Sequence, residues 1–330
     1  MDRYKLIVTD YNWGNLEIEK STLSQAEAER QIKVELIPAQ CRTEEDVIRV
    51  ASQADALLNQ YAPISEKVIS NLKKCRVIAR YGIGVDNIDV KAATKKGIMI
   101  VNVPFYCEDE VSDHALSLIL CCVRKIFYYD SNVKKGIWDW KIGIPIKSIG
   151  ELTLGLVGFG KIARKLAKKA KCLGFKVVAF TPRKHEELYK KEGVERVEFD
   201  TLLKISDVIS IHAPLKESTR HMFGKKEFDL MKPTSFIVNT SRGAIIDERA
   251  LYNALLNKKI QGAAVDVLES EFPDKNNPLF KLDNFIATPH TAFYSEKSLV
   301  RLRTKPVLDI VRALKGEIPE GLLNKELITK

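Results

Sequence analysis

Apolar and polar residues follow two periods along the chain. Short runs rich in β-branched and aliphatic residues, at 5–10, 33–38, 56–59, 77–80 and 99–103, are separated by stretches of helical period. Strands divided by helices predict βαβ units and a parallel sheet. A second series of the same kind predicts strands at 153–157, 176–180, 208–211, 236–239, 263–267 and 285–288. Between the two series, Val111, Ala115, Leu118, Ile119, Cys122 and Ile126 share one face of a long helix. Asp109 reads as its N-cap, and the helix carries the chain from the first series to the second. Residues 136–140 are irregular, with Trp138 and Trp140 expected in a core or on a partner surface. Residues 295–314 read as a helix that Pro306 is expected to kink or interrupt.

Length agrees with this division: 330 residues, at about 150 per domain, predict two domains. The fold class is therefore α/β, with two doubly wound parallel-sheet domains. Hydrophobic residues at 45% and charged residues at 29% exclude a disordered or fibrous chain. No apolar run approaches the roughly 18 residues of a membrane helix. The N-terminus shows no signal-peptide pattern. The six cysteines include no C-x-x-C pair and no zinc-ligand spacing. They are expected to be reduced thiols of a cytoplasmic protein without a metal site, with Cys121 and Cys122 as small buried hydrophobes.

The balance is basic, 53 Lys plus Arg against 43 Asp plus Glu, or +10. The densest group, Lys161, Arg164, Lys165, Lys168, Lys169 and Lys171, lies on one predicted helix with apolar residues between. It reads as a solvated face, and no nucleic-acid partner is expected.

The first chemical motif is Gly158-Phe159-Gly160-Lys161-Ile162-Ala163, between a predicted strand and a predicted helix. Gly158 permits a tight turn, Gly160 lets the backbone approach a pyrophosphate, and Ala163 lets helix and strand pack closely. The anion would sit on the N–H groups at the helix start. An acid about 20 residues on would select NAD, yet that position reads Phe180-Thr181-Pro182-Arg183-Lys184. Thr181 with two bases implies that NADP is accepted.

Three later strand ends carry polar residues. Arg242 follows one; Asp266, Glu269 and Glu271 follow the next; His290 follows the last. Ligands of open α/β sheets bind at the carboxyl ends of strands. An arginine can grip the carboxylate of a 2-oxo acid, and a histidine can protonate its carbonyl as hydride arrives. A carboxylate can hold that imidazole in one tautomer.

These segments together resemble the D-isomer-specific 2-hydroxyacid dehydrogenases. The resemblance rests on Arg80-Tyr81-Gly82-Ile83-Gly84-Val85-Asp86-Asn87-Ile88-Asp89, Glu110-Val111-Ser112-Asp113-His114-Ala115, the glycine loop, His212-Ala213-Pro214, Ser241-Arg242-Gly243 and Thr288-Pro289-His290. Residues 289–295 look closest to the branch of C-terminal-binding proteins, with 3-phosphoglycerate dehydrogenases as cousins. The resemblance implies a flavodoxin-like substrate domain, 1–102 plus 296–330, and a Rossmann dinucleotide-binding domain, 103–295.

It also implies roles. Arg242 binds substrate, Glu271 pairs with His290, and His290 is the general acid/base; Glu269 is a bystander. Arg80, Tyr81, Gly82 and Phe293 line the substrate side; Phe293 and Tyr294 either favour an apolar or aromatic substrate group or serve as packing. Gly158, Phe159, Gly160, Lys161, Ile162, Thr181, Pro182, Arg183, Ala213, Pro214, Thr240 and Asp266 contact NAD or NADP. Asp266 reaches the nicotinamide carboxamide. Phe272 departs from the family's usual proline after the catalytic acid. The expected protein is a homodimer built on the helix after Asp109 and the Trp138/Trp140 arm. Its activity would interconvert a small 2-oxo acid and the D-2-hydroxy acid in an interdomain cleft. The alternative reading is a dinucleotide-sensing binding protein with vestigial activity.

Overall fold

The computed structural model describes residues 2–183 and 186–328. The chain forms two compact units, Met1–Tyr106 with Ser295–Lys330, and Cys107–Tyr294.

The first unit has five parallel strands: β1 (Arg3–Val8), β2 (Lys33–Pro38), β3 (Ala56–Asn59), β4 (Val77–Arg80) and β5 (Met99–Val101). Their order is β2-β1-β3-β4-β5, the flavodoxin-like doubly wound order. β3 is buried throughout, as expected of a central strand covered on both faces. The C-terminal helix Glu296–Leu314 packs in this unit against helix Glu17–Arg30. A buried ion pair joins them: Arg303 donates to Glu19 through Nε at 2.9 Å and Nη2 at 2.6 Å. Such a pair specifies which helix faces meet more than it adds stability. The expected break at Pro306 is absent. The helix runs through it for 19 residues, because one missing N–H is offset by a buried face that includes Leu302, Val307 and Ile310.

The second unit has seven parallel strands: β6 (Thr153–Val157), β7 (Lys176–Phe180), β8 (Glu195–Arg196), β9 (Val208–Ile211), β10 (Phe236–Asn239), β11 (Gly262–Val265) and β12 (Phe285–Ala287). The order β12-β11-β10-β9-β6-β7-β8 is that of a Rossmann sheet, with its reversal between β6 and β9.

Several expectations need correction here. Asp109 is not an N-cap. Helix Glu108–Val123 starts after Cys107, and Asp109 lies in its acidic first turn, where it complements the helix dipole. Ile126 does not continue the apolar face. Lys125 takes a left-handed φ of 53°, which ends the helix, and Ile126 opens helix Ile126–Lys134 while 53% exposed. The basic face of helix Lys161–Cys172 is not simply solvated. Lys165 pairs with Asp109 at 2.7 Å, and Lys169 meets Asp113 and Ser112 at 2.5 and 2.7 Å. Trp138 and Trp140 are 89% and 69% exposed, so the arm is not core. All six cysteines are free thiols; Cys122 is buried, whereas Cys121 is only half-buried. No helix among the described residues is long and apolar enough to cross a membrane.

Candidate active site

In the second unit every strand is parallel, so the loops after β6, β9, β10, β11 and β12 gather along one edge of the sheet. The glycine loop leaves β6. Gly158 has φ +96°, and a β-carbon there would lie 2.6 Å from the His212 carbonyl oxygen. Only glycine fits that approach. The Gly158 N–H donates to the Phe180 carbonyl at 2.8 Å, which ties the loop to the end of β7. Gly160 then opens the 12-residue helix Lys161–Cys172, and Ala163 is fully buried against the sheet. Phe159 stacks on Tyr189 with centroids 4.6 Å apart. Lys161 is exposed and Ile162 half-buried at the helix start.

At the end of β7, the Thr181 hydroxyl donates to the Arg183 carbonyl at 2.7 Å and meets the Tyr189 hydroxyl at 3.0 Å. It therefore shapes the turn that carries exposed Pro182 and Arg183. Arg196, on the short strand β8, reaches the Thr181 carbonyl through Nη2 at 3.4 Å, a second base that sequence reasoning missed. Lys184 lies outside the described residues.

His212 follows β9, with buried Ala213 and exposed Pro214 after it. Its Nε2 lies 2.9 Å from Ser210 Oγ, and burial pushes its imidazole down to about 4. This side chain is neutral at physiological pH. Thr240, after β10, is nine-tenths buried, and its Oγ1 has no hydrogen-bond partner. That orphaned hydroxyl, the Gly158 turn and the open helix start suit a bound dinucleotide.

Arg242 is half-buried, with Nη1 donating to the Ser241 carbonyl at 2.8 Å. The next residue must be small. A β-carbon on Gly243 would collide with the backbone of Leu268 and Glu269, so the arginine turn packs on the segment that leads to Glu271. Both oxygens of Glu271 approach His290 Nδ1, at 2.7 and 2.8 Å. His290 is 24% exposed and Glu271 31%. With Nδ1 held by a carboxylate, the imidazole is fixed in one orientation. Phe293 stands edge-on to the imidazole, with centroids 6.2 Å apart.

His290 has a φ of 51°, unusual for a residue with a side chain. Asp266, 2% exposed, holds that backbone. Its Oδ1 accepts from Thr288 Oγ1 at 2.5 Å and the Thr291 N–H at 2.9 Å, and its Oδ2 from the Ala292 N–H at 2.8 Å. The His290 N–H donates to the Asp266 carbonyl at 2.9 Å. Beyond Thr288 stands His114, whose Nε2 is 2.9 Å from Thr288 Oγ1. Glu269, four-tenths exposed, accepts the Glu248 N–H at 3.1 Å and meets His221 at 3.2 Å, away from the dyad.

In the first unit, Arg80 Nε donates to the Gln60 carbonyl at 3.3 Å, and its guanidinium lies over Gly82, whose φ is +135°. Tyr81 is buried and donates to Glu19 at 2.9 Å. Burial and the Glu19 carboxylate push its phenol far above the ordinary range. Its side chain belongs to the core, so only its backbone is available for a ligand. Among the described residues no cluster of acids, histidines and cysteines could hold a metal.

The family description "D-isomer specific 2-hydroxyacid dehydrogenase, NAD binding domain" matches residues 116–292. The chain belongs to this family. A glyoxylate reductase of Thermococcus litoralis is 39% identical over 287 residues, 84% of this chain and 86% of that protein. A D-3-phosphoglycerate dehydrogenase of Methanocaldococcus jannaschii is also 39% identical over 86% of this chain, but the match spans only 54% of that longer protein. Among solved structures, an acyclic imino acid reductase in complex with NADPH and D-Arg superposes with a TM-score of 0.84 at 26% identity, over 97% of this chain and 99% of that one. The family member described here is an oxidoreductase that uses NAD or NADP to interconvert 2-oxo acids and D-2-hydroxy acids. The relatives support this enzymatic reading and not the dinucleotide-sensing alternative.

Proposed function

We propose that the protein reduces a small 2-oxo acid such as glyoxylate, with His290 as proton donor and Arg242 as the anchor of the substrate carboxylate. The observation that carries this reading is the His290–Glu271 pair, with both carboxylate oxygens on Nδ1. His290 Nε2 delivers a proton to the carbonyl oxygen, which becomes the hydroxyl of the product. Glu271 fixes the tautomer and stabilises the positive charge of the protonated ring. Arg242 holds the carboxylate by two parallel hydrogen bonds. A reduced nicotinamide, when bound, would supply the hydride that the carbonyl carbon takes up.

The dinucleotide is held by the Gly158–Ile162 loop, with Thr181, Pro182, Ala213, Pro214, Thr240 and Asp266 beside it. Arg183 and Arg196 would hold the 2′-phosphate of NADPH, because no acid stands at Thr181 to repel it. The unit of Met1–Tyr106 and Ser295–Lys330 is the substrate domain, with Arg80, Gly82 and the Tyr81 backbone on its substrate side. Phe293 and Tyr294 border the substrate's side chain. The protein acts in the cytoplasm as a homodimer whose interface includes the Trp138/Trp140 arm, and it takes no nucleic acid. Exposed Ile126, Phe127, Trp138 and Trp140 support the dimer.

The test is a panel of 2-oxo acids, glyoxylate first, with NADH and NADPH, followed by the absorbance of the reduced nicotinamide. Turnover with both nucleotides is expected. Absence of turnover with every 2-oxo acid overturns the reading. A hundredfold preference for NADH would remove Arg183 and Arg196 from phosphate recognition.

A further inference from the structure

We propose that His114, on helix Glu108–Val123, is a positioning residue that holds the proton donor in place through Thr288 and Asp266. One chain of hydrogen bonds inside the second unit links His114 to the loop of His290. Thr288 has a single hydroxyl proton, and the 2.5 Å contact assigns it to Asp266 Oδ1. The hydroxyl can then only accept from His114 Nε2, 2.9 Å away. His114 therefore carries its proton on Nε2 and points it at Thr288. The same nitrogen is 3.6 Å from Asp266 Oδ1, so the donor also faces the buried carboxylate directly.

Asp266 is where the chain closes on the reaction. Its carboxylate takes Thr288 Oγ1 and the Thr291 and Ala292 N–H groups, on both sides of His290. Between those anchors His290 sits at φ 51°, a conformation that persists only where its surroundings over-determine it. Without the His114 donor, Thr288 can turn its hydroxyl away from Asp266, and one of the three anchors is lost. The imidazole then swings relative to Glu271. His114 acts on His290 through Thr288, Asp266 and the loop they hold. It lies 174 residues from Thr288 in sequence, which is why spacing gives no hint of the link.

This inference rests on the reading of His290 as proton donor, and the experiment separates the two. Four variants are compared with wild type in NADH-dependent glyoxylate reduction: His114→Leu, His114→Gln, Thr288→Val and His290→Gln. NADH affinity is measured by nucleotide fluorescence and folding by thermal melting. His114→Leu is expected to lower kcat about ten- to hundredfold, since small misplacements of reacting groups have effects of that order. Its NADH affinity should stay at the wild-type value. His114→Gln, whose amide N–H can take the place of Nε2–H, should recover most of the rate. Thr288→Val, which removes only the hydroxyl, should match His114→Leu, and it serves alone if His114→Leu does not fold. Wild-type kcat in His114→Leu or Thr288→Val overturns the proposal. Equal losses in His114→Leu and His114→Gln also overturn it, because they reveal a packing role. If His290→Gln keeps its rate, the proton-donor reading fails first and takes this one with it.

Discussion

The two units share a sheet architecture, and each has a buried aspartate at its strand ends. In the first unit Asp10, just after β1, accepts from the N–H groups of Gln60, Tyr61 and Ala62 at 3.1, 2.6 and 3.2 Å, and from Thr9 Oγ1 at 2.8 Å. In the second, Asp266 accepts from two N–H groups and the Thr288 hydroxyl. Each unit also ends a strand near an arginine, Arg80 or Arg242. The difference lies in what the carboxylate holds. Asp10 closes a loop in which no residue from 59 to 62 takes a left-handed backbone, whereas Asp266 closes one that forces a histidine to φ 51°. All five histidines of the sequence fall in the second unit's span. The same device makes a rigid wall in one unit and fixes the backbone of the histidine that meets Glu271 in the other.

The sharpest test of that contrast is the donor itself. His290→Gln should lower kcat by about 10²–10⁴, the usual weight of general acid catalysis, while nucleotide binding survives; steady-state kinetics with a nucleotide titration reads both. The arginines come next. Arg242→Lys keeps the charge but not the fork, and should lower kcat/KM about ten- to hundredfold. Arg80→Lys should have the smaller effect; if the order is reversed, the substrate anchor is Arg80 and the units exchange roles.

The aspartates follow. Asp10→Asn and Asp266→Asn each set an amide donor against backbone N–H groups, and both should destabilise the fold by about 1–3 kcal/mol. Only Asp266→Asn should also lower kcat by more than the loss of folded protein explains, as chemical denaturation and kinetics together would reveal.

The response to acid separates the two units without a substitution. The folded state holds His212 near 4, below its ordinary 6.5, so the unfolded chain binds the extra proton first. Stability is unaffected above about pH 6.5 and falls by up to about 3 kcal/mol as pH drops from there toward 4. In His212→Asn that slope should flatten, and hydrogen exchange should place the acid-sensitive opening in the second unit.

Much of the fold was legible because both sheets consist of short apolar runs. β2, β3, β4, β6, β7, β9 and β10 begin and end at the residues expected from periodicity. β8 was not, since Glu195–Arg196 has two charged residues and no apolar run. The helix break at Lys125 was equally hidden, because a left-handed lysine carries no signal of the kind that glycine gives. At the site, residue types and strand ends pointed to Arg242, His290 and one of the acids Asp266, Glu269 and Glu271; only the family resemblance singled out Glu271, and the structure brings it onto His290. The buried uses of Tyr81 and Asp266 depend on partners 62 and 22 to 26 residues away, and no local pattern encodes them. Thr181 was legible as a missing acid but not as the hydroxyl that closes its own turn.

On the proposed mechanism, the fold and the reaction ask for different residues at position 290. Left-handed backbone suits glycine without strain, whereas a side chain there costs about 1 kcal/mol or more. By relief of that strain, His290→Gly offsets part of the conformational freedom that glycine loses on folding, while the side chain that meets Glu271 is removed. Selection of this protein for heat resistance alone would thus leave position 290 unprotected, and the proposed proton donor could be lost without a penalty from the backbone.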